Sequence, residues 1–429
     1  MKASAPAPDI STRLIHHAYT PPAEFAAPQP GVFKASTVIF PNVAAMRARD
    51  WKDKTGYTYG LHGTPTTFLL EERLCELEGG TECVLVPSGL AAIATVGLAL
   101  LKAGDEVLIP DNAYGPGKDF AVVELARYGI THAFFDALNP EDLAQRITPK
   151  TRLVWLEAPG SVTMEFPDLI AQVRICRERG VLTALDNTWG AGLAFAPFDL
   201  LGDGSLGVDV SAHALTKYPS GGGDVLMGSV MTRSNALHMK IKLTQMRLGL
   251  GVGANDVEAV LRSLPSVELR YAAHDRVARE LAQWLQTQPA VAQVLHPAIE
   301  GSPGHEHWRA LCGAANAGQG AAAGLFSVMI DARYSQAQVD AFCDALRLFK
   351  LGYSWGGPIS LVVPYHLPSM RSGPTPHLKP GTLVLATAGQ YATKSVGVLI
   401  KTFGAACENH FDKERYEFCW IVDFPMYEI

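Results

Sequence analysis

Short apolar runs and helix-length segments alternate along the chain from about residue 64 onward. The segment TTFLLEERLCELEGG predicts an amphipathic helix that ends at Gly79 and Gly80, since glycine commonly follows the last turn of a helix. Most of the β-rich runs that come after it are separated by a helix-length segment: ECVLVPSG, DEVLIPDNAYG, HAFFDA, RLVWLEAPG, LTALDNTWG and DVSAHALTKYPSGGG. This alternation predicts an α/β fold with a mainly parallel sheet and helices on both faces.

The flanking segments predict an arm before this sheet and a smaller unit after it. The first 62 residues are rich in Pro, Ala and aromatic residues and show little periodicity, which favours an arm that packs on another body. A long helix is expected from about Val260 to His296, followed by a strand (LFSVMI) and a helix (SQAQVDAFCDALRLF). The predicted division is an N-terminal arm (1–62), a larger α/β domain (63–262), a smaller C-terminal α/β domain (263–380) and an atypical tail (381–429).

Composition narrows the class of protein. The 429 residues carry a formal net charge of −6, and 48% are hydrophobic, so the chain has enough apolar side chains for a substantial core. The mild acidity argues against binding to nucleic acid. The longest apolar stretch (91–101) is too short to span a membrane, and the N-terminus lacks a secretory signal. The 7 cysteines of the chain form no C-x-x-C pair, which favours reduced thiols and a cytoplasmic location.

Three polar features follow strands, where ligands bind in parallel sheets. PSGLAAI (87–93) opens a helix whose free N–H groups suit a phosphate. Asp186 ends a strand, where a buried carboxylate needs a cationic partner or several hydrogen-bond donors. Lys217 precedes a Gly-rich turn, where partial burial favours the neutral amine. Taken singly, each feature has a plainer alternative: a strand–helix turn, a helix cap and a solvated surface lysine.

Together the three features match the requirements of pyridoxal 5′-phosphate. The helix start binds the phosphate, Asp186 keeps the pyridine nitrogen protonated, and Lys217 bonds to the aldehyde. Tyr114, in DNAYGPGKDF, follows the intervening strand and is placed to stack on the ring. No metal site is predicted, because the His305-Glu306-His307 triplet beside a glycine is more typical of a solvated loop.

Longer motifs make the chain similar to the Cys/Met-metabolism family of pyridoxal-phosphate enzymes. Between residues 12 and 380 they are TRLIHHAYTPP, KASTVIFPN, YTYGLHGTPTT, SGLAA, NAYGP, LEAPGSVTMEFPD, DNTWGAG, TKY and YSWGG. The resemblance implies the aspartate-aminotransferase-like fold (fold type I) with a seven-stranded sheet, and a homo-oligomer, a tetramer of active-site-sharing pairs. It also implies a carbon–sulfur lyase of methionine biosynthesis that acts on a thioether amino acid, by β-elimination of cystathionine. A γ-lyase, a γ-synthase and a catalytically silent cofactor-binding protein are the alternatives.

The resemblance also implies roles for individual residues. Lys217 matches the lysine that bonds to the cofactor and later moves the α-proton, and Asp186 the partner of the ring nitrogen. Tyr114 matches the tyrosine that stacks on the ring. The other matches are phosphate contacts from the amides of Gly89 and Leu90 and the hydroxyl of Thr216, a contact of Tyr59 to the neighbouring subunit's phosphate, and a substrate-side pair, Ser354 and Trp355.

Three positions depart from the family pattern. The family commonly carries Tyr-x-Arg in the arm, but here Tyr59 is followed two residues later by Leu61, and His62 is a partial replacement for the lost cation. Ala214 stands where a serine often precedes the lysine. Leu385 stands where an arginine binds the substrate α-carboxylate in a bidentate manner, a role that leucine cannot fill. We therefore expect the first two departures to weaken cofactor binding without abolishing it, and the third to weaken the binding of amino-acid substrates at a correctly built cofactor site.

From about residue 381 the sequence no longer resembles this family. The segment FDKERYEFCWIVDFPMYE resembles part of bacterial aspartyl-tRNA synthetases instead. The rest of that catalytic domain has no counterpart here, so no synthetase activity is expected. Two explanations stay open: a foreign tail that replaces the true C-terminal strand and helix, or a divergent end that folds in place.

Overall fold

The computed structural model describes residues 9–16, 24–25, 27–51, 54 and 56–389. The strands are β1 (Glu82–Val86), β2 (Glu106–Pro110), β3 (Thr131–Phe135), β4 (Thr151–Glu157), β5 (Leu182–Asp186), β6 (Val210–His213), β7 (Gly228–Thr232), β8 (Val291–Leu295), β9 (Leu325–Asp331), β10 (Lys350–Leu351), β11 (Leu361–Tyr365) and β12 (Gly381–Thr387).

Helices connect most of these strands. The α-helices are α1 (Ile10–Ile15), α2 (Val43–Arg47), α3 (Pro65–Glu78), α4 (Gly89–Leu100), α5 (Gly115–Asp119), α6 (Pro140–Arg146), α7 (Leu169–Glu178), α8 (Asn235–Arg247), α9 (Ala254–Ser263), α10 (Val267–Leu285), α11 (His305–Cys312), α12 (Ala315–Gly318) and α13 (Gln336–Ala345). A π-helical turn (Phe120–Leu125) and two 3-10 turns (Leu264–Ser266 and Leu367–Ser369) complete the described elements.

The first seven strands form one sheet in the order β1-β7-β6-β5-β4-β2-β3. Strands β3, β2, β4, β5 and β6 run parallel, whereas β7 is antiparallel to both of its neighbours, β6 and β1. The predicted α/β fold with a mainly parallel seven-stranded sheet is therefore confirmed.

Side chains of the central strand β4 enter two separate cores. Val154 and Leu156 pack in one core with residues of α3 and α7, while Leu153 and Trp155 pack in the other with residues of α4 and α8. Successive side chains of a strand point to opposite faces, so helices cover both faces of the sheet. A strand buried on both sides has no room for charge except at its ends, which is where the polar residues of β4 and β5 lie.

Helix α3 has capping signals at both ends. The Thr64 side chain accepts from the Thr67 backbone, the Thr67 side chain reciprocates, and Pro65 is the first helical residue. The helix ends at Gly79, whose φ of 79° is the left-handed conformation that favours glycine. The predicted helix stop at this glycine is confirmed.

The smaller unit is built on a second sheet in the order β10-β11-β12-β9-β8. Its core joins α10 and α13 to strands β9 and β12, and it includes Val277, Phe326, Val339 and Val384. Strand β12 pairs with both β9 and β11. The first residues of the segment that we predicted as a tail from 381 are therefore a central strand of this sheet. The synthetase-like segment lies outside the described residues.

Two local predictions are wrong. The expected helix from Val260 to His296 is interrupted by the 3-10 turn around Pro265, because proline supplies no N–H for the helix, and it ends at Leu285 before β8. The triplet at 305–307 opens α11, which starts after Gly304 in the left-handed conformation, and is not a loop. Within the described part of the chain, no helix has the length and apolar character needed to cross a membrane.

Candidate active site

Three adjacent parallel strands end together and carry the polar residues of the site. Glu157 at the end of β4 is in register with Asp186 at the end of β5, and Asp186 is in register with Ala212 on β6. The turn that follows β6 leads directly to Lys217. The register of the sheet thus brings residues that are distant in sequence to one edge, as the parallel arrangement predicts.

Lys217 is partly buried on the smaller unit's side of this edge. Its Nζ donates a hydrogen bond of 2.9 Å to Ser354 Oγ and lies 5.4 Å from the centre of the Trp355 ring. Burial lowers the pKa of the Lys217 ammonium to about 8, although the charge of Asp186 acts in the opposite direction. A substantial fraction of the amine is therefore neutral near pH 8, as a nucleophile or proton acceptor requires.

Asp186 is fixed by Thr188. Its Oδ1 accepts from the Thr188 backbone N at 3.0 Å and from the Thr188 hydroxyl at 2.5 Å. The same hydroxyl accepts from Ala214 N at 3.0 Å, which links the carboxylate to the turn that carries Lys217. Burial raises the pKa of Asp186, while the Thr188 hydrogen bonds favour its anion. Both hydrogen bonds use Oδ1, so Oδ2 is the oxygen that a ligand would meet.

A pocket opens beside these carboxyl groups. Tyr114, Glu157 and Asp186 line it together with the apolar side chains of Ile93 and Trp155. Tyr114 N donates a hydrogen bond of 2.8 Å to Glu157 Oε2, and the tyrosine is 41% exposed. Burial, reinforced by the two carboxyl groups, raises the pKa of the Tyr114 phenol, which stays neutral. A flat apolar ring with one cationic nitrogen fits such a lining.

The start of helix α4 approaches the Lys217 turn closely. A Cβ built on Gly89 would lie 2.5 Å from the Ala214 Cβ, so only glycine fits there. Ser88 caps the helix by accepting from Ala91 N at 3.0 Å, which leaves the amides of Gly89 and Leu90 in the uncapped first turn. Thr216 precedes Lys217, and its hydroxyl donates to Met227 O and accepts from Met227 N, both at 3.3 Å. The amides at the start of α4 are hydrogen-bond donors of the kind that a phosphate accepts.

The part of the site for which the resemblance implies substrate contacts is less polar. Ser354 and Trp355 contact Lys217, and Trp355 also packs edge-on against Tyr218 at 5.6 Å. Leu385, on β12, is in register with Val363 and Ser327 and is partly buried against the main core. The position at which the resemblance expects a cation therefore presents an aliphatic side chain.

Arg371, an arginine of the smaller unit, is already paired with a glutamate of the larger domain. Arg371 Nη2 lies 3.0 Å from Glu165 Oε2, and His377 Nε2 lies 2.5 Å from Glu165 Oε1. Burial opposes the charge on Glu165, but His377 and Arg371 outweigh it and lower the pKa of that carboxyl. Arg371 thus ties its loop to the larger domain and is committed to Glu165.

Tyr59 lies in the arm and makes local contacts. It forms an antiparallel bridge with Thr37, and its ring centre lies 6.0 Å from that of His62. His62 Nδ1 is 2.7 Å from the Thr58 hydroxyl, and burial lowers the pKa of His62. A Cβ on Gly60 would lie 1.8 Å from Ala35 O, so the turn after Tyr59 requires glycine. The arm does not join Tyr59 to the contacts of Lys217 described above.

The sequence predictions missed three residues of this site. Glu157 and Trp155 line the pocket, and Thr188 holds Asp186. The signal for Glu157 was present, because LEAPG ends an apolar strand with a carboxylate in the same way as LTALD. The roles of the predicted site residues toward a ligand stay predictions, although the structure gathers most of them at one edge of the sheet.

The residues fit pyridoxal 5′-phosphate. The backbone at Gly89 has no space for a side chain, and the first turn of α4 has backbone amides that its cap leaves available to a phosphate. Asp186 is suited to a protonated ring nitrogen, Tyr114 to the ring face and the desolvated Lys217 amine to the aldehyde. Among the described residues, no cluster of side chains is suited to hold a metal ion.

Known proteins share the fold and the sequence pattern. The crystal structure of metB from Corynebacterium glutamicum superposes with a TM-score of 0.82 at 24% identity, covering 94% of this chain and 98% of that one. A putative cystathionine β-lyase of Rhizobium johnstonii is 39% identical over 362 residues, which cover 83% of this chain and 87% of that protein. The cystathionine β-lyase of Bordetella avium is 39% identical over 360 residues, with 82% and 86% covered.

The match to a family model has a defined extent. The model of Cys/Met-metabolism pyridoxal-phosphate-dependent enzymes matches residues 11–372, which include the strand ends, Lys217 and the Ser354–Trp355 pair, and it ends before β12. The chain therefore belongs to the Cys/Met-metabolism family of pyridoxal-phosphate-dependent enzymes, with pyridoxal 5′-phosphate as its cofactor.

Proposed function

We propose that the protein is a carbon–sulfur lyase that cleaves cystathionine by β-elimination, giving homocysteine, pyruvate and ammonia. The observation that carries the proposal is the desolvated Lys217 amine, held by Ser354 and Trp355 one strand from Asp186. The names of the relatives at 39% identity support the choice of cystathionine.

The bound cofactor supplies an electron sink for bonds broken at the α- and β-carbons of the substrate. Lys217 takes up the α-proton, because its amine is partly neutral near pH 8. Ser354 orients Nζ through the 2.9 Å hydrogen bond, and the Trp355 ring stabilises the ammonium that forms. Asp186 holds the anionic charge that a protonated ring nitrogen requires, and Tyr114 covers the ring.

The proposed reaction balances without an external oxidant. The α-carbon loses a proton to Lys217, and the β-carbon–sulfur bond breaks with its electron pair on sulfur. Sulfur takes up a proton to give homocysteine. The remaining three-carbon enamine takes up water and yields pyruvate and ammonia.

Binding of the substrate carboxylate is proposed to be weak. Leu385 offers no charge, and Arg371 is engaged by Glu165. A bidentate charged contact is worth about 1.5–3 kcal/mol, which corresponds to roughly 10- to 100-fold in affinity. The lyase that we propose therefore works with a raised Michaelis constant.

A second copy of the chain is the proposed partner of the arm. The arm exposes several large apolar side chains, with Ile39 85% and Phe25 66% exposed, and Tyr59 among them. Burial of such a surface drives association between subunits. We propose a dimer in which each Tyr59 reaches the partner's phosphate site, and a tetramer of such pairs. A monomer at micromolar concentration in light scattering would contradict this.

The cytoplasm is the proposed location. The five cysteines among the described residues, including Cys83 and Cys176, are all unpaired, and four of them are buried. Unpaired thiols are typical of a reducing compartment. Mass mapping of protein isolated without reductant tests this, and a disulfide would contradict it.

The first experiment is to purify the protein with the cofactor and assay pyruvate and the released thiol from cystathionine. A yellow protein that forms equal amounts of both products supports β-elimination. An α-keto acid with four carbons in place of pyruvate identifies a γ-lyase, and replacement of the γ-substituent by an added thiol identifies a γ-synthase. A yellow protein that releases no product identifies the silent alternative, and a colourless one removes the enzyme proposal.

A further inference from the structure

Glu157 is a second carboxyl group at the edge of the sheet, and the mechanism above does not use it. It ends β4 in register with Asp186 at the end of β5, and in-register neighbours on parallel strands project to the same face. Both residues line the pocket with Tyr114. Adjacent strands are about 4.8 Å apart, so the two carboxyl groups are near neighbours.

The surroundings favour different protonation states for the two groups. Asp186 accepts two hydrogen bonds from Thr188, both of which stabilise an anion. Glu157 accepts a backbone hydrogen bond from Tyr114 N at 2.8 Å and is also hydrogen-bonded by the Ser161 side chain. Burial and the neighbouring Asp186 raise the pKa of Glu157 to about 8. The charge of Arg371 and the Ser161 hydrogen bond act in the opposite direction on Glu157, and the charges of His213 and Lys217 favour the anion of Asp186.

Two carboxylates side by side in a pocket of low polarity do not both ionise at neutral pH. We propose that Glu157 is a positioning residue that carries the proton of this pair, so that Asp186 alone is the anion facing the ring nitrogen. As a neutral acid, Glu157 also holds the Tyr114 amide through its carbonyl oxygen, and it thereby fixes the backbone that places the Tyr114 ring. The second part of this inference rests on the proposed cofactor contacts of Asp186 and Tyr114.

The proton is tested by infrared difference spectroscopy of the cofactor-free protein at pH 7. The spectrum of the unchanged protein minus that of Glu157→Gln is expected to contain the C=O stretch of one protonated carboxyl group. This band is expected to shift when the glutamates are labelled with ¹³C at the carboxyl carbon. Glu124→Gln, at a more exposed helical position, is the control and is expected to lack the band.

An absent band would overturn the proposal, and so would a band that does not shift with the glutamate label, because Asp186 would then hold the proton. The measurement uses no cofactor, so its outcome is independent of the proposed lyase activity. A colourless protein in the presence of cofactor would instead count against the proposed function.

The positioning role is tested by cofactor affinity. Glu157→Ala removes the acceptor of the Tyr114 amide and is expected to weaken the binding of pyridoxal phosphate by roughly 3- to 10-fold. Glu157→Gln, a neutral group with the same carbonyl, is expected to restore this loss. Equal weakening in both variants, measured by fluorescence quenching at pH 7, would contradict a neutral acid at this position.

Discussion

The two sides of the active site are built differently. On the larger domain, Asp186, Glu157 and Tyr114 place polar groups around one pocket, and the start of α4 lies beside the Lys217 turn. On the smaller unit, Ser354 contributes one hydroxyl to Lys217, and Leu385 presents an aliphatic side chain from a central strand. The groups that we propose for the cofactor come from at least three elements, whereas the proposed charged contact with the substrate carboxylate depends on the single position 385.

This difference teaches that cofactor binding and substrate binding are separable in this fold. Several groups at the ends of neighbouring strands are proposed to contact the cofactor, so the loss of one contact leaves the others in place. A single bidentate arginine has no such support. Variants that affect one side and leave the other unchanged are therefore the natural tests.

The largest effect is expected at Lys217. Lys217→Ala removes the amine that bonds to the cofactor and moves the α-proton, so the visible absorption band disappears and kcat falls by roughly 10³-fold or more. Spectroscopy and the pyruvate assay measure the two effects. Lys102→Ala, at an exposed position, is the control and is expected to change neither. Retention of the band in Lys217→Ala would mean that another amine binds the cofactor.

The second-largest effect is expected for Asp186→Asn, which weakens cofactor binding. The amide keeps the size of the side chain and the contact to Thr188 but removes the anion, and loss of a buried charged partner costs about 3 kcal/mol, or roughly 100-fold in cofactor affinity. Equilibrium titration of the cofactor-free protein measures it. Asp209→Asn is a matched control, because Asp209 also accepts two hydrogen bonds from one threonine, Thr183. Similar losses in both variants would indicate a general structural effect.

Leu385→Arg is expected to strengthen the binding of the substrate without changing the binding of the cofactor. A restored guanidinium lowers the Michaelis constant for cystathionine by roughly 10- to 100-fold and leaves cofactor affinity unchanged. Leu385→Lys adds a charge without the bidentate geometry and is expected to give a smaller gain. An unchanged Michaelis constant in Leu385→Arg would show that the carboxylate is bound elsewhere.

The last prediction concerns the pH dependence of cofactor capture, which changes by about 10-fold for each pH unit. The pKa of Lys217 is lowered to about 8 by burial, and the neutral amine is the form that attacks an aldehyde. The rate at which cofactor-free protein captures pyridoxal phosphate is therefore expected to rise about 10-fold per pH unit below about 8 and to level off above it. Stopped-flow absorbance measures this profile. A rate that continues to rise to pH 10 would indicate a solvated lysine.

The sequence predicted the fold well where local pattern and chain order suffice. Apolar strands ending in Asp186 or preceding Lys217 are readable, because a strand buried on both faces carries its polar residues at its ends. The helix stop at Gly79 follows from one glycine. The long helix was wrongly continued through Pro265, because the apolar periodicity on both sides masked the break.

Properties that depend on register between strands were not readable. Glu157 matters because it lies beside Asp186, and that neighbour relation belongs to the sheet. The role of Thr188 depends on the turn after β5, which returns its hydroxyl to Asp186. The place of β12 between β9 and β11 also follows from pairing, since its sequence had left the family pattern.

The central claim is that the cofactor side keeps the residues that it needs to bind its ligand, while the carboxylate of the substrate lacks its charged partner. Its most direct test compares two ligands of the cofactor-loaded protein, an S-alkyl cysteine and the corresponding amine without the carboxyl group, by their absorbance changes. We predict that the dissociation constants of the amino acid and the amine agree within about 3-fold, because no bidentate cation binds the carboxylate. A preference of 100-fold or more for the amino acid would contradict it.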